Sequence, residues 1–76
     1  MDLNNIAEKI SKNWKGLPNG LKYKINYKHS IIFFAWLSGE DVVELNDFAK
    51  KHNKRIEIYH SNHTGVGIEV YFKNAL

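Results

Sequence analysis

His60 and His63 share one turn of the chain, with Ser61 and Thr64 between and beside them. Neighbouring imidazoles of this kind are what a zinc site recruits, but such a site takes three or four ligands. No cysteine exists and no acid cluster lies nearby to complete the set, so the pair reads as the polar tip of a hairpin. Gly16 and Gly20 flank Pro18, yet no Lys-Ser or Lys-Thr follows to make a phosphate loop. His29 falls in another turn and His52 near a helix end, where a cation suits the dipole; neither has an evident nucleophile beside it. These residues point away from an enzyme. They suggest no metal, no cofactor and no small-molecule substrate.

A second set of residues offers binding chemistry instead. Lys9, Lys12, Lys15, Lys22, Lys24 and Lys28 fall in a stretch without a single acid, and the whole chain carries a net charge of +3. Ordinary solubility would account for a charge of this size. An anionic partner such as RNA or DNA would account for its clustering in the first third of the chain. The acids gather elsewhere, at Glu40, Asp41, Glu44 and Asp47.

The elements that must hold these residues follow from periodicity. Leu3, Ile6, Ala7, Ile10 and Trp14 recur at helical spacing after a capping Asp2, which predicts a helix over 3–15. Residues 16–20 then make a loop. Over 21–28, Leu21, Tyr23, Ile25 and Tyr27 alternate with Lys22, Lys24, Asn26 and Lys28, which predicts a half-buried strand with a basic outer face. Residues 30–37 are almost all apolar and rich in β-branched and aromatic types, which predicts a second strand. Ser38 and Asp41 make a capping box with Asp in place of Glu, opening a helix that ends near Asn53. Its apolar stripe is Val42, Leu45, Phe48, Ala49 and His52. Residues 55–60 and 66–73 alternate again, the latter with Val66, Ile68, Val70 and Phe72 inward.

The helix–strand–strand order occurs twice, and the helices echo each other in Leu3-Asn4-Asn5-Ile6-Ala7 and Leu45-Asn46-Asp47-Phe48-Ala49. The predicted fold is therefore a single α+β domain. It is a two-layer sandwich of order αββαββ, in which a four-stranded sheet carries both helices on one face. The more apolar strand of each unit belongs in the centre and the two more polar strands at the edges, giving the spatial order first, second, fourth, third. In topology this is a ferredoxin-like sheet with its chain start moved.

One register stays open. The turn between the first two strands has no Asn-Gly or Gly signal. A two-residue loop pairs Tyr27 with Ser30 and sends Ile32, Phe34 and Trp36 inward. A three-residue loop pairs Asn26 with Ser30 and sends the same three outward, because a slip of one residue exchanges the faces. Either way both faces of the second strand are apolar, while two helices cover only one. The uncovered sheet face is thus the expected binding surface.

Two functions fit it. Aromatic side chains ringed by cations are how sheet platforms hold single-stranded nucleic acid. Here the candidate contacts are Phe34, Trp36, Tyr59 and Tyr71 with Lys22, Lys24, Lys28, Arg55 and Lys73, and Gly67 would leave room for a ring. Glu57 and Glu69 on that face oppose the reading, and no RNP motif is present. The alternative is a protein interface, as a homodimer or as an inhibitor of the phage or mobile-element type that docks on a host protein or nuclease. The absence of cysteine, of a secretory leader and of an apolar stretch of membrane length makes a cytoplasmic location the expectation.

Overall fold

A computed structural model describes residues 1–12, 14, 22–60 and 67–75. The stripe of Leu3, Ile6, Ala7 and Ile10 is buried along one side of α1 (Leu3–Ser11), whose first turn is capped by the Asp2 carboxylate accepting from the Asn5 amide at 3.0 Å. This helix stops earlier than its apolar period suggests. The Trp14 amide reaches back to the Ser11 carbonyl at 3.1 Å, an i to i+3 bond of the kind that tightens a helix end. Trp14 is still buried, as its place in the stripe predicts.

The second helix, α2 (Gly39–Lys51), carries the expected capping box. The Asp41 amide donates to Ser38 Oγ at 3.1 Å, and the Ser38 amide donates to Asp41 Oδ2 at 3.0 Å. Leu45 and Ala49 are fully buried, Val42 and Phe48 half-buried. His52 lies outside the helix and exposed, its ring 4.7 Å from that of Phe48. Asn53 then turns the chain at φ 57°, a left-handed conformation that Asn tolerates better than most residues.

Four strands form one antiparallel sheet: β1 (Tyr23–Asn26), β2 (Ile31–Phe34), β3 (Lys54–His60) and β4 (Ile68–Asn74). Their order is β1-β2-β4-β3, so the two αββ units meet where β2 pairs with β4. This is the predicted architecture, with β1 and β2 shorter than their alternation and composition suggest. Residues 13, 15–21, 61–66 and 76 lie outside the described residues, and with them Leu21, His63, Val66, the expected loop at 16–20 and the expected turn after His60.

The register of the first hairpin settles the faces. Asn26 pairs with Ile31 and Ile25 with Ile32. Directly opposed residues share a face, so Ile32 and Phe34 lie with Tyr23 and Ile25, on the side of the helices. Ile32, Phe34 and Val70 have no exposed surface and join Leu3, Ile6, Ala7, Ile10, Leu45, Ala49 and Phe72 in the core. The faces are those of the two-residue alternative, reached through a four-residue turn. The Asn26 side chain closes that turn by accepting from the His29 amide at 3.1 Å, and Ser30 adopts φ 55°. Tyr27, expected inward, is 66% exposed because the strand has ended before it.

Candidate binding surface on the uncovered sheet face

Alternation and register assign the face of the sheet away from the helices. One row across it is Asn26, Ile31, Tyr71 and Glu57; the next is Lys24, Phe33, Glu69 and Tyr59. Arg55 and Lys73 form a third row beside the first. Five of the residues singled out from the sequence (Lys24, Arg55, Tyr59, Tyr71 and Lys73) are therefore brought together. Lys22 adjoins them, its carbonyl accepting from the Ala35 amide at 3.1 Å. Lys28 stands exposed in the hairpin turn.

Two assignments need correction. Phe34 is fully buried against the helices and has no surface to offer a partner. Trp36 lies beyond the end of β2 and stacks on Trp14 with ring centroids 5.2 Å apart, while Trp14 meets Phe34 edge-on at 5.9 Å. It is 44% exposed, but on the helix side. The residues that β2 gives to the uncovered face are Ile31 and Phe33. Ile31 is only 7% exposed between its neighbours, so the apolar row is narrower than the composition of the strand implies. The overlooked signal was Asn26, a residue whose side chain opens turns by bonding a later backbone amide. A methyl group at Gly67 would meet the Ala35 carbonyl at 3.7 Å, ordinary contact that leaves no shaped gap.

The polar groups of the face are tied to one another. Glu57 pairs with Arg55, lies 3.5 Å from Lys73 Nζ and accepts from the Tyr59 hydroxyl at 2.8 Å. The Arg55 and Tyr59 hydrogen bonds hold its carboxyl down at about 2. Tyr71 donates to Glu69 at 2.8 Å, and Lys73 Nζ lies 5.6 Å from the centre of the Tyr71 ring. Each phenol bonded to a carboxylate loses its proton less readily than usual: Tyr59 through Glu57, Tyr71 through Glu69. The two rings stand 5.4 Å apart at 87° to each other, so they present one face and one edge to anything that lies against both.

Among the described residues, no group of three or more His, Asp or Glu side chains is placed to hold a metal ion. Nor is any helix among them long and apolar enough to cross a membrane. Compared with protein-family models, curated proteins and solved structures, the chain matches none of them.

Proposed function

We propose that this chain is a non-enzymatic binding module that holds single-stranded nucleic acid across the uncovered face of its sheet, RNA or single-stranded DNA in preference to duplex. The observation that carries the reading is the gathering of Phe33, Tyr71 and Tyr59 on one face with Lys24, Lys73 and Arg55. Bases stack on aromatic rings regardless of sequence, and phosphates meet the cations at the margin. The two acids that opposed this reading in the sequence are engaged. Glu57 faces Arg55 and Lys73, which a bound phosphate would share with it, and Glu69 accepts from Tyr71.

The test is retention of labelled oligonucleotides on filters across a salt series. The wild type should bind single strands with an affinity that falls as salt rises, because displaced counterions drive the association. Changing Lys22, Lys24 and Lys28 together to Glu should abolish retention. Phe33→Ala should weaken binding by about 5- to 150-fold, since a stacked base contributes about 1–3 kcal/mol. Binding that ignores both salt and lysines would overturn the reading.

A second reading rests on Trp36. An exposed indole stacked on a buried one is the kind of aromatic anchor that protein interfaces use. A protein partner seated there would approach from the helix side and leave the sheet face open. Trp36→Ala should then lose that partner while nucleic-acid retention stays unchanged.

A further inference from the structure

The two edges of the sheet are unlike. β1 is four residues long and carries Lys24, and short charged edges are how sheets avoid pairing with other chains. β3 is seven residues long, and among the described residues only β4 pairs with it. Its cations, Lys54 and Arg55, stand at one end. The rest of the strand carries Glu57, held within its own chain by Arg55, Lys73 and Tyr59, and the exposed His60, and it offers Ile58, 40% exposed, and Tyr59, 51% exposed. Ile58 also lines an apolar hollow with Leu37, Val42 and Ile68, beside the outer half of the strand. A long edge with exposed apolar side chains and free backbone groups is a template for another strand.

We propose that β3 pairs antiparallel with β3 of a second copy of the chain, about a two-fold axis at Ile58. The register follows from the side chains. An axis at Glu57 would set two carboxylates against each other. An axis at Ile56 would put Ile58 opposite a lysine and leave Tyr59 uncovered. An axis at Ile58 brings the two exposed isoleucines together on the helix side, next to both hollows. On the other face, Glu57 then stands across from Tyr59 of the second copy, so no two carboxylates are opposed and the Glu57–Tyr59 hydrogen-bonded pairs of the two copies lie side by side. Ile56 stands across from His60, and the Lys54 and Arg55 ends of the two copies point away from each other. The pairing joins two sheets into one and sets their uncovered faces side by side.

The chain has no cysteine, which makes the register directly testable. Opposed residues of antiparallel strands have Cα atoms about 4.5–5.5 Å apart, inside the roughly 4.4–6.8 Å that a disulfide spans. Oxidised Ile58→Cys should run as a covalent dimer. Glu57→Cys and Tyr59→Cys should each stay uncrosslinked alone and form a heterodimer when mixed. In sedimentation equilibrium the wild type should be a dimer, and Ile58→Glu a monomer with an unchanged circular dichroism spectrum. Should Ile58→Glu fail to fold, the crosslinking series decides by itself. A wild type that stays monomeric at every concentration would overturn the proposal. So would crosslinking of equal yield at all three positions, or a dimer that survives Ile58→Glu.

Discussion

Glu57 ties Arg55, Lys73 and Tyr59 together on the uncovered face. Its carboxyl is held at about 2 instead of the usual 4.5, first by the hydrogen bond from Arg55 and then by that from Tyr59. A carboxylate depressed by folding stabilises the fold above its unfolded value, and that contribution disappears as pH falls through the folded value. For Glu57 the window runs from about 4.5 down to about 2. In an NMR titration its side chain should stay ionised after ordinary carboxyls have protonated, and Arg55→Ala should move its midpoint upward. A midpoint at the ordinary glutamate value in the wild type would refute the network. The phenols of Tyr59 and Tyr71 have the opposite sign. Their pKa values are raised above 10.0, so the stability they contribute is complete below 10.0 and lost as alkali deprotonates them in the folded state. Ultraviolet titration of Glu57→Gln should lower the Tyr59 midpoint and leave the Tyr71–Glu69 bond in place.

At the scale of the element, β2 divides structure from surface in alternate residues. Phe34 is wholly buried, so Phe34→Ala should cost about 3–5 kcal/mol of stability in a denaturant titration. Phe33 is half-buried on the other face, and Phe33→Ala should cost distinctly less. Equal costs would contradict the register. Ser38→Ala removes one half of the α2 capping box and should cost about 1 kcal/mol by the same measurement. Much of this was legible beforehand. The stripes of α1 and α2, the alternation of β1, β3 and β4 and the choice of central strands all follow from which residues seek burial. The faces of β2 did not, because a strand apolar on both sides carries no period to read. They depend on the hairpin turn, where the Asn26 side chain and the left-handed Ser30 take the place of the glycine that usually marks such a bend. The same ambiguity misplaced Trp36, which belongs to the connection between β2 and α2.

At the scale of the whole molecule, the sheet separates two exposed aromatic surfaces. Phe33, Tyr59 and Tyr71 lie on one side of it, Trp36 on the other. Substitutions on the two sides should therefore act independently. Lys24→Glu combined with Trp36→Ala should change nucleic-acid retention as much as Lys24→Glu alone. Coupling between the two in a double-mutant cycle would mean that one partner wraps both surfaces. The strand order has a consequence for how the molecule is made. β4 is the only described strand that joins β2 to β3, so a ribosome must release it before either half of the sheet can close on the other. Until then the nascent chain holds one short hairpin and one solitary strand.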